Sequence, residues 1–251
     1  MSVLFQVVVL FFSALLGGLS VLLIRQPSPD AFKRLLLFAG GYLFAITVLH
    51  ILPELFALYH NAQWVGLYIL IGFFLQLLLE LLSQGIEHGH LHEAEHTHHR
   101  IVPATLLFSL CIHAFLDGVV LNSPTAVCAH HHHTHGTHSL LLGIVLHKLP
   151  VAFALVSVLR QAVRNTNVVV GYLVLFAAAS PIGLWSSHYC IQHQLLSMHG
   201  VMAVMAIASG SFLHIATTIF FESTPDHRPH LYQFLASLMG AVVAVVLEWC
   251  L

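Results

Sequence analysis

The sequence predicts an all-α integral membrane protein with eight transmembrane helices, and three observations carry that prediction. Of the 251 residues, 58% are hydrophobic and only 7% charged, with a mean hydropathy of +0.89, whereas a soluble domain carries about a quarter charged residues. Apolar runs of about 20 residues, the length that crosses the hydrocarbon of a bilayer, recur eight times. Finally, seven of the eight Lys and Arg residues fall in alternate connections between those runs. A soluble fold is excluded by the first observation. The balance of 8 basic against 10 acidic residues gives no basis for nucleic-acid binding.

The runs follow one another along the chain. The first, 3–24, has no basic residue before it and is too long for the core of a signal peptide, so a retained helix is expected. The second, 35–58, contains "AGGYLFAITVLHILPE" (39–54) and closes on His50, Pro53 and Glu54. The third, 64–82, carries Gln76 and Glu80. The fourth, 102–122, contains "LCIHAFLDGVVL". The fifth, 139–159, contains "LLLGIVLHKLPVAFALVSVL" (140–159), with His147, Lys148 and Pro150 at its centre. The sixth, 168–187, carries Ser180 before Pro181. The seventh, 199–221, overlaps "ASGSFLHIATTIFFE" (208–222), and the eighth covers 231–250.

Basic residues accumulate in the cytoplasmic connections of membrane proteins. Arg25, Lys33 and Arg34 lie between spans 1 and 2, Arg100 between 3 and 4, Arg160 and Arg164 between 5 and 6, and Arg228 between 7 and 8. The other three connections contain no Lys or Arg. Both termini are therefore expected outside, in a plasma or inner membrane, with Lys148 the one basic residue left within a span. Spans 2 and 7 both open on small residues, carry one histidine and end on a glutamate while running in opposite directions. That echo predicts a 3+2+3 plan, with spans 1–3 and 6–8 as an inverted repeat, in one transporter domain over 1–251.

Histidine is unusually frequent, at 22 residues. A cytoplasmic loop, 84–101, holds His88, His90, His92, His96, His98 and His99. An outer loop, 123–138, holds His130, His131, His132 and His133. Neither tract is hydrophobic enough to fold alone. Neutral imidazoles bind transition metals, so weak, exchangeable metal capture is expected there, set against a plain solvated linker. Cys111, Cys128, Cys190 and Cys250 form no CxxC pair and read as lone small hydrophobes.

Polar groups deep in a span cost roughly 2.5–3.5 kcal/mol each on insertion scales and are functional candidates by default. His113 and Asp117 are four residues apart and so share one helical face. His147 lies at a similar depth in the next span. Pro150 lacks an N–H, which leaves the Leu146 carbonyl without its helical partner and predicts a helix break beside that histidine. Two imidazoles, a carboxylate and a freed carbonyl could replace part of an ion's hydration shell. The plainer alternative is helix-packing hydrogen bonds, worth about 0.6–2 kcal/mol each.

These motifs together resemble the ZIP (Zrt/Irt-like) family of divalent metal transporters, over nearly the whole chain. The shared parts are eight spans with both ends outside, a histidine-rich loop after span 3, "HILPE" closing span 2, "HAFLDG" in span 4 and "HKLP" in span 5. The family pattern is His-Asn-x-x-Asp/Glu in span 4 and His-Glu-x-x-His/Glu in span 5, building two adjacent metal sites. Here Ala114 stands for the Asn, Lys148 for the usual carboxylate and Val151 for the second ligand of span 5, while Ser180 sits where some members carry a glutamate. The resemblance thus implies one retained site, His113, Asp117 and His147. Lys148 is expected to take the place of the second ion and partly neutralise Asp117, with a plain salt bridge to Asp117 and no metal as the rival reading. His50 resembles the family's outer entrance and is expected to relay metal. Glu80, Gln76 and His214 are weaker candidates, read equally as helix-packing groups.

The implied function is transport of zinc, or another first-row divalent metal, toward the cytoplasm through spans 4 and 5. The metal is the substrate, no organic cofactor is implied, and the chain is not read as an enzyme; the partners are the lipid bilayer and metal ions, with a homodimer left open. Two rivals stand beside it. One is a non-transporting relative that binds or senses metal because Lys148 disables the pore. The other is a histidine-rich membrane metalloenzyme, which the placement of the two histidine tracts on opposite faces disfavours.

Overall fold

The computed structural model describes residues 2–23, 29–59, 61–83, 103–122, 135–222 and 231–250, and every regular element among them is helical. Helix α1 is Val3–Leu23. Helix α2 covers 29–58 in three pieces: Pro29–Ile46, a π-helical turn at Thr47–Ile51, and Leu52–Leu58. There follow α3 (Ala62–Ser83), α4 (Pro103–Val120), α5 (His135–Ala162), α6 (Thr166–Gln192), α7 (Met198–Glu222) and α8 (Leu231–Cys250). Proline opens α2 and α4, where its missing N–H would have no intrahelical partner anyway. Asn165 caps α6 by accepting from the Asn167 N–H at 3.0 Å.

Each of the eight expected spans is a helix. Seven are long and apolar enough to cross a membrane, and the apolar part of α4, Ala104–Val120, is shorter. Its 17 residues rise about 26 Å, slightly under the ~30 Å of a typical hydrocarbon core. Helices α5 and α6 extend beyond the expected 139–159 and 168–187 at both ends. Backbone bonding continues there past the apolar run, into segments such as 188–192.

Two local features differ from expectation. Helix α5 is continuous through Pro150, so the expected break there is corrected to a missing hydrogen bond within an unbroken helix. The actual irregularity lies in α2, where the π turn carries His50 three residues before Pro53. A π turn widens the helix by one residue and re-aims the side chains on it.

The helices pack chiefly as α2 on α8, α3 on α7, α4 on α6, and α1 on α5 and α6. Helices α2 and α7 also meet, as do α2 and α5, and α3 and α4. Helices α4 and α5 touch each other only slightly; each is seated mainly on another partner. Three crossings are made by reciprocal glycines: Gly41 with Gly240, Gly72 with Gly210, and Gly118 with Gly183. A Cβ at any of the six would lie only 1.8–2.1 Å from a carbonyl oxygen of the facing helix. Membrane helices use small residues in this way because close backbone approach replaces the hydrophobic drive that lipid removes. Large apolar side chains of α3 and α8, such as Phe74, Leu81, Phe234 and Met239, face outward, as a lipid-facing surface requires.

Candidate metal site

Helix α4 buries one stripe and exposes the other. Leu106, Ser109, Leu110, His113, Ala114, Asp117 and Gly118 recur at helical spacing on the enclosed side, while Phe108 and Phe115 face out. On α5, His147, Lys148, Pro150 and Val151 are all buried. The four polar groups are almost fully enclosed, at 2% exposure for His113, 3% for Asp117, 2% for His147 and 1% for Lys148. None of them faces the lipid.

The two imidazoles meet across the α4–α5 gap with ring centroids 5.8 Å apart and planes at 83°. His113 Nε2 lies 3.7 Å from Asp117 Oδ1, too far for a direct hydrogen bond. Among the described residues, no three His, Cys, Asp or Glu side chains are gathered closely enough to hold a metal as they stand. His113, Asp117 and His147 are thus neighbours in one buried region without forming a closed ligand cage.

Lys148 reaches a third helix. Its ammonium donates to Ser180 Oγ on α6 and lies 5.0 Å from the centroid of the Phe176 ring, a cation–π distance. Ser180 in turn donates to the Ala114 carbonyl on α4 at 2.5 Å. Lys148, Ser180 and Ala114 therefore tie α5, α6 and α4 together beside the two histidines. The Gly118–Gly183 crossing makes this chain possible by drawing α6 against α4.

Two histidine–carboxylate pairs lie elsewhere. On the π turn, His50 Nδ1 contacts Glu248 Oε1 of α8 at 2.9 Å, and its Nε2 is 3.7 Å from Glu54 Oε2. Across α3 and α7, His214 Nε2 meets Glu80 Oε2 at 2.5 Å, and Thr218 Oγ1 lies 3.4 Å from the same nitrogen. The edge of one ring faces the other between Phe73 and His214, and Ser211 donates to Gln76 Oε1 at 2.6 Å one turn away. These groups pair with each other as helix-packing contacts do. Glu248 was missed from sequence, although an acidic residue inside the last apolar run is itself a signal. The roles of Phe176 and the glycine pairs were missed too, and nothing local marks them. His88, His90, His92, His96, His98 and His99, with His130, His131, His132 and His133, lie outside the described residues.

The chain matches the family described as ZIP zinc transporter over residues 2–102 and 82–248. It is 28% identical to Zinc transporter ZIP9 of Xenopus tropicalis over 207 residues, 74% of this chain and 65% of the relative. Zinc transporter ZIP9 of Micropogonias undulatus is 29% identical over 163 residues, 61% of this chain and 49% of the relative. Zinc transporter ZIP9 of Macaca fascicularis is 31% identical over 115 residues, 43% of this chain and 46% of the relative. The match thus spans a little under two-thirds of the first relative's length and about half that of the other two. With the family match running over almost the entire bundle, and its two histidine motifs buried on adjacent helices, the chain belongs to the ZIP zinc transporter family.

Proposed function

We propose that this protein moves a divalent transition metal, zinc foremost, across the membrane toward the cytoplasm through a site on α4 and α5. The observation that carries the reading is the burial of His113, Asp117 and His147 in one region of the bundle, with the two rings 5.8 Å apart. Imidazole and carboxylate suit zinc at bond lengths of about 2.0–2.2 Å. Closing the site takes an inward movement of the His113, Asp117 and His147 side chains around an ion. Three protein ligands leave a position for water, which favours exchange over retention.

Lys148 supplies the positive charge that a second ion would otherwise bring, so the site takes one metal. Pro150 withdraws one backbone donor and leaves the Leu146 carbonyl available toward the path. His50 passes metal inward from the outer side, and the histidine tracts, including His88 to His99 and His130 to His133, collect it at either face.

The packing supports a 3+2+3 inverted plan. Exchanging α1–α3 with α6–α8, and α4 with α5, maps α2–α8 onto α7–α3, α1–α5 onto α6–α4, and α2–α5 onto α7–α4, all of them observed pairs. The distribution of Lys and Arg supports termini outside.

A metal-uptake panel on proteoliposomes tests the reading. Wild type accumulates zinc-65 and His147→Ala falls to the level of empty liposomes. Because no closed cage of three ligands is present among the described residues, the rival of a metal-binding protein that does not transport keeps a specific claim: zinc binding lost in His147→Ala, with no uptake in either protein. Uptake that is unchanged by His147→Ala contradicts both.

A further inference from the structure

Lys148 is the one Lys or Arg buried among the described residues, and Asp117 is a buried carboxylate of the same region. Left to itself, a buried ammonium pairs with the nearest carboxylate, because an uncompensated buried charge is strongly destabilising. The side chains are arranged otherwise. The ammonium is hydrogen-bonded to Ser180 and sits over Phe176, while Asp117 Oδ1 is buried with no hydrogen-bond partner.

Resting on the one-ion reading above, we propose that Ser180 is a positioning residue that holds the Lys148 ammonium off Asp117, so that this carboxylate stays open to the transported ion. A serine hydroxyl has one proton to donate and lone pairs to accept with. Here both are used, accepting from Lys148 and donating to the Ala114 carbonyl at 2.5 Å. Its own burial, at 0% exposure, leaves no water to substitute for either bond. Since α4 and α5 barely touch, Ser180 is also the link through which α5's lysine is registered against α4's ligands. Phe176 stabilises the ammonium from one face but cannot hold it against a carboxylate, since cation–π attraction amounts to about 0.5–2 kcal/mol. Remove the hydroxyl, and Lys148 turns to Asp117 and competes with the metal for it.

The test uses the purified full-length chain and zinc ion alone, titrated against a chromogenic chelator. His147→Ala identifies which component of binding belongs to the central site rather than to the histidine loops. Ser180→Ala weakens that component by about 10- to 1000-fold, taking as the scale the change that a contacting opposite charge makes in a carboxylate's affinity for a proton. Ser180→Ala with Lys148→Met recovers most of the loss, because the competing cation is gone. A purely structural role for the hydroxyl gives no such rescue. The proposal is overturned if Ser180→Ala binds as tightly as wild type, or if the double variant is as weak as the single. Should Ser180→Ala not fold, Ser180→Gly, which removes the same hydroxyl and adds no zinc ligand, carries the same comparison. If wild type shows no His147-dependent zinc component, the one-ion reading itself has failed and the inference falls with it.

Discussion

Replacing Gly118 by alanine adds a single methyl group at the crossing that brings Ser180 to Ala114. The new carbon would lie 1.9 Å from the Ser180 carbonyl oxygen and 2.8 Å from the Leu184 nitrogen, both backbone atoms of α6. Ordinary contact begins near 3.4 Å, so α4 and α6 must part by about 1.5 Å, and overpacking of this kind costs about 1–3 kcal/mol. For a chain of this length that is a fall in melting temperature of about 2–12 °C. The same parting breaks the bond from Ser180 to the Ala114 carbonyl and shifts Asp117, the neighbour of the substituted residue. A ligand misplaced by about 1 Å can lose on the order of 100-fold in rate, which is the expected drop in zinc uptake. Melting by intrinsic tryptophan fluorescence in detergent, with uptake into proteoliposomes, reads both effects. Gly171→Ala on α6, where nothing lies within 4 Å of the added carbon, serves as the control: it leaves uptake unchanged and does not lower the melting temperature. The reasoning is refuted if Gly118→Ala melts and transports like Gly171→Ala.

Three further outcomes follow from the same geometry. Lys148→Glu restores a carboxylate where the resident ammonium stands, and raises the zinc bound at the His147-dependent site from one ion to two by difference titration; an unchanged count contradicts the view that Lys148 replaces an ion. Glu80→Gln lowers the unfolding free energy by about 1–3 kcal/mol, the loss from a partly buried hydrogen bond to a charged group, and His214→Gln in the same chain adds little because the two form one pair; additive losses would show that they act independently. His50→Ala raises the zinc concentration needed for half-maximal uptake several-fold while leaving the central binding component intact, and an unaltered half-saturation value removes His50 from the path.

Much of the architecture was readable because a bilayer demands long apolar helices whatever their partners. The eight runs became α1 to α8, and the four-residue spacing of His113 and Asp117 placed both on the enclosed face of α4. What escaped detection depends on contacts between distant parts of the chain. Ser180 stood out only as a departure from the family pattern, and its bonds to Lys148 and Ala114 need α6 to lie against α4, which no local spacing reveals. The reciprocal glycines look like ordinary helix-weakening residues until the facing carbonyls are seen. Pro150 drew attention as a breaker, yet the neighbouring helices hold α5 continuous. Near Pro53 the distortion instead spreads backward into a π turn that sends His50 to Glu248. Proline marks a weak point, and packing decides how it is resolved.

Asp117→Asn keeps the shape of the side chain and removes only its charge, so zinc-65 uptake by that variant in proteoliposomes questions the buried ligand set with the least structural disturbance. Uptake at the level of empty liposomes, from protein that melts like wild type, is the predicted result. Wild-type uptake by the asparagine variant would mean that the ion does not pass through the His113, Asp117 and His147 region at all.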